Sequence, residues 1–237
     1  MKKTEGLDFL IQELPRQLEE DPATGWFRRV WYLGSTRCLD ELCIHDGVLS
    51  ARVTPHEVHS HDHEEVHLAL SNNLQYVTSG ESSAGELPFD LPAGSLSFTD
   101  SRVPHTFRNT GDAPVHYLHA RWRKDAEPPG GKRDVRFNHL RGAAGDERPG
   151  AVEVYSGPSR YLSRLHVRYH VLSTGGVIPL HRHDHELFLA LVEGSLEILG
   201  KTVAAPAFAF MGSRVPHGMI NRDALPARFY GIELHHS

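Results

Sequence analysis

The same histidine-rich phrase occurs twice in the chain, and this internal repeat constrains the fold more than any other feature. HSHDHEEVHLAL occupies 59–70, and HRHDHELFLAL occupies 181–191. Further along, SRVPHTFRN at 101–109 matches SRVPHGMIN at 213–221. Because the motifs follow one another in the same order in both halves, the sequence predicts two copies of one module.

Apolar periodicity predicts strands in both copies. A typical stretch is LFLALVEGSLEIL at 187–199, in which Glu193-Gly194 marks a turn between two apolar runs. Apolar residues with helical spacing occur near the N-terminus, at Leu7, Leu10, Ile11, Leu14 and Leu18. The sequence therefore predicts an all-β chain with a short N-terminal helical segment.

A segment rich in proline, glycine and charged residues is predicted to link the two copies. Its position divides the chain into four parts. These are a helical arm at 1–28, a first module at 29–123, the linker at 124–150 and a second module at 151–237.

Charge and apolar patterning argue against nucleic acid and against a membrane as partners. The formal net charge is −5, and no block of lysine and arginine offers a phosphate-binding stripe, so nucleic acid is not an expected partner. No run approaches the roughly 18 apolar residues that a membrane span needs.

The N-terminus lacks the apolar core of a signal peptide, which predicts a cytoplasmic protein. Cys38 and Cys43 are expected to be free thiols.

The repeated histidines have the spacing of metal ligands. Side chains two positions apart in a strand point to the same face, so His59 and His61 form one pair, and the second copy repeats it. A carboxylate follows the first pair, either Glu65 or its neighbour Glu64, and His67 is expected on the same inward face as Glu65. A further histidine stands at each VPH turn.

Three neutral imidazoles and one carboxylate form a mixed nitrogen and oxygen shell. Such a shell suits Fe, Mn, Ni, Co, Cu or Zn better than Ca or Mg, and it leaves positions open for water or substrate. One divalent transition-metal ion is therefore expected in each copy. The predicted ligands are His59, His61, Glu65 and His105 in the first copy, and His181, His183, Glu186 and His217 in the second.

These motifs resemble the two sequence motifs of the cupin superfamily, and the whole chain resembles a bicupin. His59, His61 and Glu65 fit the first motif, while LPAG at 91–94 and Pro104-His105 fit the second. The resemblance implies two tandem cupin barrels of the jelly-roll, or double-stranded β-helix, type.

The second copy departs from the family spacing in one respect. Glu186 stands one residue closer to its histidines than Glu65 does. Counted back from the turn residues, however, Glu186 precedes Gly194 by the interval at which Glu65 precedes Asn73. This interval predicts that Glu186 is the counterpart of Glu65.

The ligand shell resembles that of cupin dioxygenases, which implies a metal-dependent oxidoreductase acting on a small organic molecule. Glu65 and Glu186 are then expected to be catalytic, because a carboxylate that leaves the metal can accept a proton. Two alternatives stay open: a cupin isomerase or epimerase of a sugar or acid, and a non-catalytic cupin that binds a small molecule. A homodimer is also expected, because jelly-roll edge strands tend to pair unless they are covered.

The first copy is the expected reaction centre. His59 and His105 are 46 positions apart, whereas His181 and His217 are 36 apart, so the first copy has about ten extra residues, expected in a loop within 71–90. Long loops on a rigid scaffold commonly carry function.

Overall fold

Strands account for the regular structure of the described part of the chain, which comprises residues 6–79, 86–126, 135–141 and 148–236 of a computed structural model. The all-β prediction is confirmed. Within these ranges no helix is long and apolar enough to cross a membrane. The strands are β1 (Phe9–Glu13), β2 (Trp26–Gly34), β3 (Glu41–Leu49), β4 (Glu64–Ala69), β5 (Leu74–Ser79), β6 (Glu86–Leu91), β7 (Leu96–Thr99), β8 (His105–Asn109), β9 (Val115–Arg123), β10 (Arg136–His139), β11 (Gly150–Gly157), β12 (Arg164–Leu172), β13 (Val177–His181), β14 (Glu186–Glu193), β15 (Ser195–Ile198), β16 (Lys201–Ala204), β17 (Ala207–Met211), β18 (His217–Ile220) and β19 (Ala227–His235).

The strands form one large and one small sheet in each half of the chain. The N-terminal half has a six-stranded sheet in the order β10-β7-β4-β9-β3-β2 and a three-stranded sheet in the order β6-β5-β8. The C-terminal half has a six-stranded sheet in the order β1-β17-β14-β19-β12-β11 and a four-stranded sheet in the order β13-β18-β15-β16. Each histidine-rich phrase therefore leads into an inner strand, β4 or β14, of a six-stranded sheet.

The N-terminal arm contains a strand where the sequence predicted a helix. β1 pairs antiparallel with β17, with Ile11 opposite Ala209, so the arm extends the six-stranded sheet of the C-terminal half. The apolar spacing fits a helix equally well, but the open edge of β17 offers backbone hydrogen bonds and an apolar surface, and Pro15 lacks the N–H that a helix would use. Residues 1–5 of the predicted arm lie outside the described ranges.

Part of the predicted linker is also a strand. β10 pairs with β7, and Phe137 stacks on Phe98 with ring centroids 5.1 Å apart. This pairing adds the linker strand to the six-stranded sheet of the N-terminal half. Three stretches of the predicted linker and the predicted long loop, 127–134, 142–147 and 80–85, lie outside the described ranges.

Strand alternation divides the side chains between a core shared by the halves and an interior within each half. On β14, Phe188 belongs to the shared core, whereas Leu187 and Leu189 belong to the interior of the C-terminal half. On β4, Val66 belongs to the shared core, so alternation places Glu65 on the interior face.

A loop of the N-terminal half binds a buried glutamate of the C-terminal half. The Thr36 hydroxyl donates to Glu186 Oε2 over 2.8 Å, and the Cys38 backbone N–H donates to Glu186 Oε1 over 3.2 Å. Burial raises the pKa of Glu186, although these two hydrogen bonds act in the opposite direction. Glu186 therefore lies on the shared-core side of β14.

A loop of the C-terminal half makes the equivalent contact with a buried glutamate of the N-terminal half. GPSRYL at 157–162 matches GSTRCL at 34–39, and its Tyr161 N–H donates to Glu64 Oε1 over 2.9 Å. Trp122 Nε1 donates to the second oxygen of Glu64 over 2.7 Å. Burial, with repulsion from a nearby carboxylate, raises the pKa of Glu64 to about 7. Glu64 and Glu186 are thus equivalent acceptors that join the two halves.

The strand at the arm makes a testable prediction. Ile11 is 6% exposed and packs in the C-terminal interior, whereas Phe9 on the same strand is 39% exposed. Ile11→Ala is expected to lower the free energy of unfolding by about 2–4 kcal/mol, because a buried aliphatic side chain leaves a cavity. Phe9→Ala is the control and should cost less than about 1 kcal/mol. Urea unfolding of both variants measures the difference, and equal costs would contradict the described burial.

Candidate metal centres

Three histidines converge in the N-terminal half. His59, His61 and His105 each offer a ring nitrogen, and these atoms lie within 4.8 Å of one another. Reciprocal backbone hydrogen bonds of 3.1 and 2.9 Å between His59 and His105 hold the loop before β4 against the start of β8. We call this set the N-terminal histidine group.

The Glu65 carboxylate lies beside the N-terminal histidine group. Its Oε2 is 3.2 Å from His61 Nε2, and its Oε1 is in contact with His105 Nε2. Glu65 is 1% exposed. The structure thus brings together the four residues that the sequence predicted as ligands in the first copy.

The electrostatics of this set favour an ionised carboxylate. Burial alone would raise the pKa of Glu65, but neighbouring His67 and His105 hold it well below its ordinary value. Burial alone would lower the pKa of His105, and the Glu65 carboxylate outweighs it, so the pKa is raised. His105 Nδ1 donates to the carbonyl of Val103 over 2.8 Å, which leaves Nε2 facing Glu65. A positive charge at that position, carried by a proton or a metal ion, satisfies the buried carboxylate.

Three histidines in the same pocket were missed by the sequence analysis. His45, His56 and His119 line a cavity of about 100 Å3 together with the N-terminal histidine group, and so does His67. His119 Nε2 is 2.9 Å from Glu65 Oε2, and His119 Nδ1 is 3.1 Å from His45 Nε2. The second copy has no histidine at the corresponding positions, so the repeat gave no signal for them.

A second set of three histidines converges in the C-terminal half. His181, His183 and His217 offer ring nitrogens within 4.8 Å of one another, and Nε2 atoms of His181 and His183 are 2.9 Å apart. Nδ1 of His181 donates to Pro179 over 2.7 Å, and Nδ1 of His217 donates to Val215 over 2.8 Å. We call this set the C-terminal histidine group.

The repeated SRVPH turn holds both groups in place. Arg102 N–H donates to the carbonyl of His61 over 2.7 Å, and Arg214 N–H donates to that of His183 over 2.6 Å. Both arginines have a φ of 65°, a left-handed conformation that aims the N–H at the histidine loop. The repeated arginines therefore position the predicted ligands through their backbone.

Glu186 is not part of the C-terminal histidine group, which corrects the predicted ligand set. Glu65 pairs with Thr99 on β7, and Leu187 pairs with Met211 on β17. Thr99 and Met211 stand six residues before the VPH histidine in their copies. The counterpart of Glu65 is therefore Leu187, and the counterpart of Glu186 is Glu64.

The C-terminal histidine group lies in a large, mostly apolar pocket of about 600 Å3. Its polar lining includes Glu233. Burial alone would raise the pKa of Glu233, but contacts with His235 and Arg168 lower it to about 2. The polar lining also includes His170, which stacks on Phe229. Burial lowers the pKa of His170 to about 4. The apolar lining includes Val171, Leu172, Val177, Ile178, Leu187, Leu189, Met219 and Phe229.

Both groups fit a transition-metal ion by the chemistry of their donors. In His105, His181 and His217, Nδ1 donates to a backbone carbonyl, which leaves Nε2 as the nitrogen that could bind an ion. His217 Nε2 is buried and has no hydrogen-bond partner among the described residues. The N-terminal set offers three imidazoles and a carboxylate, and the C-terminal set offers three imidazoles.

Comparison with known proteins yields structural neighbours but no family model and no curated relative. AerE from Microcystis aeruginosa is 17% identical, with a TM-score of 0.66 over 94% of this chain and 97% of that one. The bacterial pirin YhhW from Escherichia coli, in complex with nickel(II), is 12% identical, with a TM-score of 0.62 over 97% of this chain and 100% of that one. A variant of salicylate 1,2-dioxygenase from Pseudoaminobacter salicylatoxidans is 13% identical, with a TM-score of 0.56 over 81% of this chain and 71% of that one. Pirin and the dioxygenase are cupin-fold proteins, and this likeness shows that the chain has a cupin fold.

Metal binding at these histidines predicts that a chelator lowers the thermal stability of the protein. Removing bound metal with EDTA is expected to lower Tm by roughly 5–10 °C, because a ligand at about 100 times its Kd stabilises a protein by about 2.7 kcal/mol. The shift should shrink below a pH of about 6.5, where free imidazoles become protonated and release the ion. A variant with alanine at His59, His61, His181 and His183 should show a smaller effect of EDTA than wild type. If wild-type Tm did not change with EDTA, metal binding by these histidines would be contradicted.

Proposed function

We propose that the protein is a metal-dependent bicupin oxidoreductase of the dioxygenase type, with one ion at each histidine group and a small organic substrate bound in the C-terminal pocket. The observation that carries the proposal is the position of His181, His183 and His217 in a mostly apolar cavity of about 600 Å3. A pocket of this size matches a small organic ligand. A bound divalent ion would supply Lewis acidity and redox chemistry.

Different residues of the pocket would bind different parts of the substrate. Ile178, Leu189 and Phe229 would cover the apolar body of the substrate and exclude water from it. The three histidines hold their ligand nitrogens on one side of the pocket, so an acidic or enolic oxygen of the substrate would be anchored there. Both atoms of O₂ enter the product in such a reaction, which therefore needs no external reductant.

The pocket favours an oxygenase over an isomerase or epimerase. Proton transfer between carbons needs a general base whose pKa lies near the working pH. Among the described residues of this pocket, Glu233 has a pKa of about 2 and His170 has a pKa of about 4. A substrate that arrives as an acid or enol brings its own ionisable oxygen, so no such base is required.

The pocket volumes favour the second copy as the reaction centre, whereas the sequence spacing favoured the first. The N-terminal cavity measures about 100 Å3 and is lined by seven histidines, which leaves little room for an organic substrate. Glu65 keeps its proposed roles as ligand and proton acceptor in that site. Glu186 has no such role because Thr36 and Cys38 hold it on the opposite face of β14.

The experiment combines metal analysis with oxygen uptake. Purified protein, stripped and reloaded anaerobically with Fe(II), Mn(II) or Ni(II), is screened against aromatic and enolic acids for O₂ consumption. Products formed under ¹⁸O₂ should carry two labelled atoms. Metal binding and ligand-induced stabilisation without O₂ uptake would instead identify a non-catalytic binding protein, and carbon-bound hydrogen exchange without O₂ uptake would identify an isomerase.

A homodimer in the cytoplasm completes the proposal. β2 and β11 are edge strands of the two six-stranded sheets, and Val30 and Leu33 on β2 are exposed. Covering such an edge with a second copy would protect it from non-specific pairing. Sedimentation that shows only monomer would remove this part of the proposal.

A further inference from the structure

A second group of donor side chains lies in the N-terminal pocket beside the histidine group already described. Glu65, His67 and His119 offer ligand atoms within 4.8 Å of one another, and all three are buried. Glu65 Oε2 is 2.9 Å from His119 Nε2, while Glu65 Oε1 contacts His105. The two oxygens of one carboxylate thus face two sets of histidines.

The geometry of His67 and His119 is that of a pair built on two neighbouring strands. They stand directly opposite each other on β4 and β9. Their rings are parallel, with centroids 4.3 Å apart and an interplanar angle of 9°. Both side chains therefore leave the sheet on the same interior face, as Glu65 does.

The number of donors in the pocket exceeds what one ion can use. Seven histidines and Glu65 line it, whereas a first-row metal ion takes about four to six ligands. An ion at the N-terminal histidine group would use three of these histidines and Glu65. His67 Nδ1 is buried and has no hydrogen-bond partner among the described residues, which is unfavourable unless a ligand occupies that position.

The other half of the chain shows that the fold does not require this second group. Strand register places Leu187 at the position of Glu65, Leu189 at that of His67 and Gly231 at that of His119. The C-terminal half keeps its three histidines but has apolar residues or glycine at all three of these positions. The second donor group is therefore an addition confined to the N-terminal pocket.

We infer that Glu65, His67 and His119 bind a second metal ion in the N-terminal pocket, and that Glu65 is shared between this ion and the ion at the N-terminal histidine group. The inference rests on the proposed metal binding at His59, His61 and His105. Donors that are mostly imidazole favour Zn, Cu or Ni over Mg or Ca. Arg28 and Arg121 also line the pocket and add positive charge, which favours an anionic ligand such as hydroxide or a carboxylate between the ions.

The experiment counts Zn(II) ions per chain by equilibrium dialysis and elemental analysis. Wild type is expected to bind three ions, two in the N-terminal pocket and one at the C-terminal histidine group. His67→Leu combined with His119→Gln should bind two, where Leu is the residue that the C-terminal half carries at the first position. His116→Gln is the control, because His116 is a buried histidine of β9 that contacts Asp46 outside the pocket, and it should bind three.

Two other outcomes separate this inference from the proposed function. If wild type binds two ions and the His67 and His119 substitutions change nothing, the second ion is overturned while one ion per histidine group is retained. If His59→Ala with His61→Ala leaves the zinc count of wild type unchanged, the proposed N-terminal centre is overturned, and with it the sharing of Glu65 between two ions. The His67→Leu and His119→Gln variant alone then decides whether Glu65, His67 and His119 bind an ion.

A measurement on the wild-type protein keeps the test independent of whether the variants fold. Two Cu(II) ions that share a carboxylate couple magnetically, so the electron paramagnetic resonance signal of copper-loaded protein should account for fewer spins than the copper bound. A full spin count at every loading would overturn the shared site.

Discussion

Replacing His181 and His183 together with alanine is expected to reduce turnover at least about 100-fold, because even residues that only support metal ligands contribute about 10–100-fold. These two side chains supply two of the three ring nitrogens that we propose as ligands in the C-terminal pocket. The loss should fall mainly on kcat, with a rise in KM as well, because the anchor for the substrate oxygen is lost while the apolar walls are unchanged. Metal analysis should show one ion fewer per chain.

The matched control is the same pair of substitutions in the other half, His59→Ala with His61→Ala. This variant should lose metal from the N-terminal pocket and keep turnover within a few-fold of wild type. Activity abolished in the control but kept in the His181 and His183 variant would reverse the assignment. The reaction centre would then be the N-terminal pocket, as the longer loop of the first copy predicted.

The all-β fold and the convergence of the two histidine groups were accessible from the sequence because a repeat supplies two readings of each motif. His59 and His181 stand at the same point of the same phrase, and each VPH turn places a further histidine at the start of the next strand. Alternation along the chain then determines which side chains share a face. These are local properties, and the structure agrees with them.

Glu186 was predicted to be the counterpart of Glu65, and this prediction was wrong because the two copies were aligned one residue out of register. Asn73 and Gly194 both have positive φ and mark the same turn, but Ala69 precedes Asn73 by four residues, whereas its counterpart Leu191 precedes Gly194 by three. Counting back from the turn therefore shifts the pairing by one residue. A shift of one residue moves a side chain to the other face of the sheet. Aligning the two phrases without a gap places Glu186 against Glu64, as the structure does.

The remaining histidines of the N-terminal pocket were beyond a reading of one sequence. His45 lies opposite His119 on β3 and β9, and His119 lies opposite His67 on β9 and β4. These contacts depend on the order of strands that are far apart in the chain. The N-terminal arm was similarly ambiguous, because its apolar spacing suits a helix until the open edge of β17 is known.

Replacing Glu186 with alanine is expected to lower the free energy of unfolding by about 2–5 kcal/mol, since two donors lose a buried acceptor and a cavity is left. These donors are the Thr36 hydroxyl and the Cys38 N–H, both from the loop that joins the halves. Zinc content should not change, because the carboxylate does not face the C-terminal histidine group. Glu186→Gln keeps an acceptor oxygen and is expected to retain stability within about 1 kcal/mol of wild type near neutral pH.

The pH dependence of the same pair of proteins tests the environment of Glu186. Burial raises its pKa in the folded chain despite the hydrogen bonds from Thr36 and Cys38. The folded state therefore holds this proton more tightly than the unfolded state, so the associated stability is fully present below the ordinary glutamate pKa of about 4.3 and is lost as pH rises through the raised value. Glutamine does not titrate, so the stability of Glu186→Gln relative to wild type should increase as pH rises above about 4. Urea unfolding across this range measures the difference, in which histidine titrations common to both proteins cancel. A difference that does not vary with pH, together with the loss of one zinc ion in Glu186→Gln, would show that this carboxylate is a metal ligand after all.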